Sequence, residues 1–258
     1  MSSSIPELIQ VARSGVLNII LENGGQRVGS GTGFLTDAGL VTANHVIREH
    51  RFETAVLGLD GADAGDPIRF SEADMLSAIV RESPKEQHDF VVLSIDEPEF
   101  EGRHRFKLAG LGDLRVGEQV LFLGYPYGSQ NLTAHIGYAS SIYRSRDTRV
   151  LQLDGSVNPS NSGGPVIDTD TGDVVAYVTR AQTGLLTDFD ALVEALEGNV
   201  ATLSQQRSGQ VIIAGIDPVA SLRVTMVAMR QLAVNMRRSA NVGIGYASDA
   251  AHIVEAMG

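Results

Sequence analysis

The sequence predicts an all-β protein of antiparallel barrels or a sandwich, with one helical block set inside it. Three observations carry this reading. Short β-type runs recur at irregular intervals: Val16–Ile20, Gly33–Leu35, Leu40–Thr42, Phe90–Ile95, Gln119–Leu123, Arg149–Leu153 and Val174–Val178. Turn signals separate them at Asn23-Gly24-Gly25, Asp37-Ala38-Gly39, Asp60-Gly61 and Thr171-Gly172-Asp173. Helical spacing is confined to the two ends and to one block after Gln182, too little to supply the crossovers of a parallel sheet.

The helical elements follow in order. Ile5, Leu8, Ile9 and Ala12 share one helix face within Ile5–Ser14. Thr187 caps a helix whose first turn carries Asp188 and Asp190 at the positive end of the dipole. Its apolar stripe is Phe189, Leu192, Val193, Leu196, Val200 and Leu203. Asp217 caps a second helix with Pro218 at its first position. Leu222, Met226, Met229, Ala233 and Met236 form that helix's stripe, and Arg223, Arg230 and Arg237 recur every seven residues beside it. Packing is the ordinary use of such a stripe, although methionine also suits an adaptable partner surface. The arginine row reads as a solvated face or as partners for the acids of the first helix. Strand-like segments return at Val211–Ala214 and Val242–Tyr246, and Ala250–Met257 reads as a closing helix.

Composition narrows the function. The 258 residues are 43% hydrophobic and 20% charged, a globular balance. A net charge of −11 argues against nucleic acid and anionic membrane as partners, because like charge repels. The absence of cysteine removes disulfides, thiolate nucleophiles and cysteine-ligated zinc. The first residues lack the pattern of a signal peptide and no apolar run reaches membrane-spanning length, so a cytoplasmic location is expected.

Three segments carry chemistry. Leu40-Val41-Thr42-Ala43-Asn44-His45 is a strand ending at a histidine, His88-Asp89-Phe90 opens a buried strand with an aspartate, and Asn158-Pro159-Ser160-Asn161-Ser162-Gly163-Gly164-Pro165 sets a serine in a glycine-rich turn. A serine hydroxyl becomes a nucleophile when a neutral imidazole takes its proton. A buried carboxylate holds that imidazole in the required tautomer. Glycines beside the serine let backbone N–H groups converge on a developing oxyanion.

His45, Asp89 and Ser162 stand in the His…Asp…Ser order of the chymotrypsin-like serine proteases, and the wording resembles their HtrA/DegP-type, trypsin-like branch. The segments that resemble it, in order, are Gly29-Ser30-Gly31-Thr32-Gly33-Phe34, Thr42-Ala43-Asn44-His45-Val46, Leu123-Gly124-Tyr125-Pro126-Tyr127-Gly128, Asn161-Ser162-Gly163-Gly164-Pro165 and Asn241-Val242-Gly243-Ile244-Gly245-Tyr246-Ala247. The resemblance covers about residues 5–181 and 241–258, with no PDZ domain. It implies two six-stranded antiparallel barrels, residues 1–105 with the N-terminal helix and residues 106–258, and the triad in the cleft between them. It also implies a serine endopeptidase without cofactor or metal, acting on polypeptides, with Ser162 as nucleophile, His45 as base then acid and Asp89 as orienting carboxylate. The backbone N–H groups of Ser160, Ser162 and, as a third candidate, Asn161 are expected to form the oxyanion hole. Ser156 matches the base of the primary specificity pocket, and Val178, Thr179 and Arg180 are expected to pair with substrate as an added strand.

Two departures stand out. Ser160 occupies a position that the family gives to glycine, so a positive φ there would be strained. The family's short loop beside the specificity pocket is replaced by residues 183–240, an insertion of a size that usually carries function and that offers a place for an activator or partner protein. The alternative is a binding or signalling module on a protease scaffold with a latent triad, and a third reading is a small-ester hydrolase. Asp74 is the distant rival of Asp89, and His88 reads as a surface residue. His50, His104, His135 and His252 lack metal-ligand spacing. Asp168–Asp173 reads as a hairpin turn because Thr179 stands where a calcium loop needs its bidentate Glu. Gly29–Gly33 lacks dinucleotide spacing and reads as a close-packed strand.

Overall fold

A computed structural model describes residues 4–60, 65–183, 186–205, 212–239 and 241–258, with side chains described outside 180–189 and 237–242. The chain divides into two compact units, Met1–Gln182 with Gly243–Gly258, and Thr183–Val242.

The first unit opens with α1 (Ile5–Ala12), where Ser4 and Glu7 form a capping box and the Ser4 N–H donates to Glu7 Oε2 at 2.9 Å. The strands β1 (Val16–Asn23), β2 (Gln26–Thr36) and β3 (Gly39–Thr42) then run as a meander. The elements α2 (Asn44–Arg48), β4 (Thr54–Leu59), β5 (Ile68–Ser71), α3 (Glu72–Ser77), β6 (Ile79–Ser83) and β7 (Phe90–Leu93) complete this half. Its seven strands form one antiparallel sheet in the order β5-β4-β1-β2-β3-β7-β6. In the second half, β8 (Gln119–Gly124), β9 (Thr133–Ser145), β10 (Thr148–Asp154), β11 (Pro165–Asp168), β12 (Val174–Thr183) and β13 (Asn241–Asp249) close into a six-stranded barrel. The second unit contains α4 (Leu186–Gln205) and α5 (Pro218–Ser239), and α6 (Ala251–Met257) ends the chain.

The second half is thus the expected barrel, while the first departs from it. It has seven strands, and its edges β5 and β6 are not hydrogen-bonded to each other. The reason is α3, which carries the chain from one edge to the other. Ser71 caps it by accepting from the Asp74 N–H at 3.1 Å, and Met75 is fully buried among Leu17, Leu57 and Val91 of the sheet's core. Apolar burial by a helix replaces a closing ladder there. Asp74 spends itself on this cap, taking the Ser71 hydroxyl at 2.6 Å.

Three apolar clusters hold the unit together. One lies inside the seven-stranded sheet and one inside the barrel. The third joins the halves through Phe34, Phe90, Leu123, Tyr125 and Tyr177, with Ile253 of α6 packed in. The glycines of β2 do read as close packing: a methyl on Gly29, Gly31 or Gly33 would meet the His50 ring, Val46 or Leu40 within 3 Å. The Asp168–Asp173 segment is a tight turn, with Asp168 accepting from the Asp170 N–H and the Thr171 hydroxyl.

In the helical unit, Asp217 caps α5 as expected, accepting from the Val219 and Ala220 N–H groups at 2.9 and 3.2 Å. The helix α4 begins at Leu186, so Thr187 lies inside its first turn, and its side chain and that of Phe189 fall outside the described residues. The strand expected over Val211–Ala214 is not there among the described residues. Ile213 and Ile216 exchange both backbone hydrogen bonds at 2.9 Å around Ala214 and Gly215, both at positive φ, which makes a tight turn.

Candidate active site

The pairing of β3 with β7 sets the first two site residues. Their register places Thr42 opposite Val91, and its continuation puts Asn44 against Asp89, where the Asn44 N–H donates to the Asp89 carbonyl at 3.2 Å. One residue on, the chain turns into α2, anchored by buried Val46 and Ile47. His45 is thereby held over Asp89. Its Nδ1 lies 2.8 Å from Asp89 Oδ2, and its backbone N–H donates to Oδ1 at 3.0 Å. Both side chains are largely buried, at 18% and 7% exposure, so water competes little for the bond. Asp89 takes a φ of 60°, a conformation that aspartate tolerates better than most residues.

The peptide before Asp89 is braced from the barrel. Tyr177, fully buried, donates its hydroxyl to the His88 carbonyl at 2.5 Å. Burial, and then the negative charge of Asp89, raise its phenol well above the usual range, so it stays a donor. His88 is not the free surface residue expected from sequence. Its ring stacks on His252 of α6 at 3.8 Å, and its Nδ1 lies 3.0 Å from the Thr148 hydroxyl.

The third residue sits in the loop between β10 and β11. Every carbonyl from Pro159 to Ser162 is hydrogen-bonded, three of them to residues outside the loop. Pro159 accepts from the Tyr127 N–H at 2.7 Å, Ser160 from the Thr32 hydroxyl at 2.8 Å, Asn161 from the Gly164 N–H at 2.9 Å and Ser162 from the Thr32 N–H at 2.8 Å. With the Pro159 carbonyl turned to Tyr127, the N–H of the same peptide, on Ser160, faces the other way. The N–H groups of Ser160 and Ser162 have no acceptor among the described residues, which is the donor pair an oxyanion hole requires. The Asn161 N–H donates to the Asn158 carbonyl at 3.1 Å, so the expectation that it contributes is withdrawn.

Ser160 does take a positive φ, 73°, a conformation that strains a residue other than glycine. Its hydroxyl lies 2.6 Å from that of Ser30. Gly163, at φ 84°, lies against the strand leading to His45: an added Cβ would sit 2.3 Å from Thr42 Oγ1 and 2.7 Å from the Ala43 nitrogen. The serine turn and the histidine segment are therefore in contact. No hydrogen bond joins Ser162 to His45 here, and the Ser162 hydroxyl points to the Thr179 carbonyl at 3.5 Å. Catalytic hydrogen bonds of this kind are often long before substrate arrives.

The expected substrate edge needs one correction. Both backbone groups of Val178 are used inside the fold, its N–H on the Gly164 carbonyl at 2.9 Å and its carbonyl on the Gly163 N–H at 2.7 Å. The edge available to another strand begins at Thr179, because β11 and its lead-in end there. Arg180 continues β12, with its side chain outside the described residues. Ser156 is exposed and its hydroxyl is unpartnered among the described residues. Sequence reasoning missed Ser30, Thr32 and Tyr127 as holders of the loop. The Gly-Ser-Gly-Thr-Gly run was the available signal: a serine and a threonine alternating with glycines point the same way from one strand. Among the described residues, no three His, Asp or Glu side chains converge on a metal site, and no helix is long and apolar enough to cross a membrane.

Comparison with known proteins bears on this geometry. Residues 31–176 match the family model described as trypsin-like peptidase domain. The protease Do-like 5, chloroplastic, of Arabidopsis thaliana is 32% identical over 182 residues, covering 64% of this chain and 53% of the relative. A probable periplasmic serine endoprotease DegP-like from Pseudomonas savastanoi pv. phaseolicola is 34% identical over 161 residues, covering 61% and 30%. The chain therefore spans about half or less of these relatives. Among solved structures, the HtrA-type protease AlgW with tripeptide superposes with a TM-score of 0.62 at 18% identity, covering 99% of this chain and 62% of that one. Deg5 superposes with a TM-score of 0.51 at 28% identity, covering 68% and 83%.

Proposed function

The chain belongs to the trypsin-like peptidase family, and from that premise we propose that it is an HtrA-type serine endopeptidase working through Ser162, His45 and Asp89. The observation that carries the reading is the His45–Asp89 couple at 2.8 Å, beside a serine loop whose Pro159, Ser160 and Ser162 carbonyls are held by Tyr127 and Thr32.

The chemistry follows from the geometry. With Nδ1–H committed to Asp89 Oδ2, the neutral imidazole offers its Nε2 lone pair. The Ser162 hydroxyl leaves the weak Thr179 contact, gives its proton to Nε2 and attacks a peptide carbonyl. The negative charge that forms on the carbonyl oxygen is met by the N–H groups of Ser160 and Ser162, which are fixed beforehand and need no reorganisation. The imidazolium, stabilised by Asp89, returns the proton to the leaving amine. Water then repeats the sequence on the acyl-enzyme. Substrate lies along the edge of β12 from Thr179 onward, where an extended chain gains main-chain hydrogen bonds.

Labelling with a fluorophosphonate tests the reading, since only an activated serine reacts. Stoichiometric modification at Ser162, together with cleavage of an unfolded protein that Ser162→Ala lacks, is the expected result. No labelling, with or without protein partners, would instead favour the module with a latent triad.

Control through the helical unit is the finer part of the proposal. It is supported by the replacement of a short family loop with the separate compact unit Thr183–Val242. Deleting Thr187–Arg238 with a short linker is expected to change the rate or its response to an activator, and an unchanged rate would remove the idea. A cytoplasmic location belongs to the same proposal and is decided by cell fractionation.

A further inference from the structure

The helix that carries His45 is too short to hold its own position. Its five residues, Asn44–Arg48, lie far below the length at which helical hydrogen bonds sustain themselves in water. Its cap residue, Ala43, has no side-chain acceptor, so the first N–H groups are met from another segment. Asn44 donates to the Asp89 carbonyl at 3.2 Å, and His45 donates to Asp89 Oδ1 at 3.0 Å. Val46 and Ile47 are buried in the core of the seven-stranded sheet. These contacts fix one end and one side of α2. The rotation of the helix about its own axis is left to its outer side.

Glu82 of the edge strand β6 meets that outer side. The register across β3, β7 and β6 puts Thr42, Val91 and Glu82 in one row, so Glu82 stands level with the end of β3, where α2 begins. Its carboxylate takes both arms of Arg48, Nε at 2.9 Å and Nη2 at 2.8 Å, and the Asn44 side-chain amide at 3.1 Å. Asn44 and Arg48 are four residues apart and share one helix face, so a single carboxylate spans a full turn of α2. The hydrogen bonds from Arg48 hold the Glu82 carboxyl below its usual range, so it is charged wherever the imidazole is neutral. Lys85, three residues on, pairs with Glu49 at the other end of the helix. Residues 44–49 and 82–89 are thus joined by Glu82, Lys85 and Asp89 in turn.

The Arg48 and Glu82 side chains are 40% and 38% exposed, and an ion pair so placed contributes little to stability. Its effect on geometry is larger. Side-chain atoms lie about 5–6 Å from a helix axis, so a rotation of about 10° moves the His45 ring by about 1 Å. A misplacement of that size can cost about a hundredfold in rate. We propose that Glu82 is a positioning residue for His45: by gripping Asn44 and Arg48 together it fixes the rotation of α2 and keeps the imidazole over Asp89. The effect on rate rests on the endopeptidase reading above, whereas the effect on the His45–Asp89 couple can be read without any activity.

Glu82→Ala in the full chain is expected to lower kcat on a peptide about tenfold with KM nearly unchanged, while Tm moves by less than about 2 °C. Fluorophosphonate labelling of Ser162 should slow by the same factor. Glu82→Gln keeps one carbonyl acceptor and should regain part of the rate. Adding Arg48→Ala to Glu82→Ala should cost nothing more, since both act through one contact. Lys107→Ala, which breaks an exposed ion pair with Asp173 elsewhere on the surface, should leave every rate unchanged. Proton NMR gives the readout that needs no turnover. The proton between His45 Nδ1 and Asp89 should resonate downfield of the amides in the wild type and exchange with solvent about tenfold faster in Glu82→Ala. An unchanged kcat together with an unchanged proton in Glu82→Ala, or additive losses in the double variant, would overturn the proposal. A wild type that neither labels nor cleaves would remove the endopeptidase reading, and the exchange of that proton would then decide the role of Glu82 by itself.

Discussion

The hydroxyls of Ser30 and Ser160 lie 2.6 Å apart, one on β2 and the other two residues before Ser162. The bond has a physical reason. A non-glycine residue at a φ of 73° costs on the order of 1 kcal/mol, and the turn keeps that conformation because its neighbours over-determine it. Three groups do so: the Ser30 hydroxyl on the side chain, the Thr32 hydroxyl on the Ser160 carbonyl and the Tyr127 N–H on the Pro159 carbonyl. They hold the peptide whose N–H is the proposed oxyanion donor.

Ser30→Ala should therefore lower kcat about tenfold with KM nearly unchanged, because it loosens a donor that matters only in the transition state. Ser160→Gly relieves the strain and should keep activity within a few-fold of wild type. Combining the two should be no worse than Ser160→Gly alone, since the lost bond has already gone. A double-mutant cycle on a peptide substrate measures this, and additive losses would show that the two hydroxyls do not act together.

Asp89→Asn keeps the shape of the couple and removes its charge. An amide at that place favours the wrong tautomer of His45, so kcat should fall by about four orders of magnitude while the fold is retained. Steady-state rates and thermal unfolding of the same preparation separate the two effects. A loss under tenfold would mean that the carboxylate at 2.8 Å does not orient the imidazole.

Gly163→Ala tests the joint between the halves. Its φ of 84° resists a side chain, and the added methyl would sit 2.2 Å from the Thr32 carbonyl oxygen, a backbone atom that cannot yield alone. Destabilisation of several kcal/mol is expected, with fluorophosphonate labelling of Ser162 lost before the fold is. Denaturant unfolding and labelling on one sample check the order of these losses.

Much of this was legible in the sequence, for local reasons. His45 and Asp89 announce themselves because each sits at the end of an apolar run, and Ser162 because its glycines serve a turn that few other residues allow. The strands read correctly include ones buried on both faces, such as Val174–Val178, and the alternating Arg149–Leu153. Of the strands missed, β5, β6, β9 and β11 are short, interrupted by polar residues or half-exposed like β9, so neither a run nor an alternation stood out, whereas β4, with Ala55, Val56 and Leu57 buried, did carry an apolar run. The open edge of the first half was illegible because Met75 acts through tertiary burial. The role of Ser30 was hidden for a similar reason, since its partner is far away in sequence and the bond exists only after the two halves meet.

His135 offers a last test, in which stability and pH are linked. Its ring stacks on Phe122 at 4.7 Å, and its Nε2 is buried without a partner among the described residues. Burial holds its pKa below the unfolded value of 6.5. Below pH 6.5 the unfolded chain takes up a proton that the folded chain refuses, so this proton-linked cost grows as pH falls and vanishes well above 6.5, where only the unpartnered nitrogen still costs stability. His88 and His104 are shifted the same way and add to the acid limb. His135→Phe removes both the proton and the stranded nitrogen while keeping a ring on Phe122. It should raise stability at pH 8 by about 1 kcal/mol, worth roughly 2–4 °C in Tm, and by more at pH 5. Melting curves at the two values decide it. An equal gain at both would mean that His135 binds its proton as readily folded as unfolded.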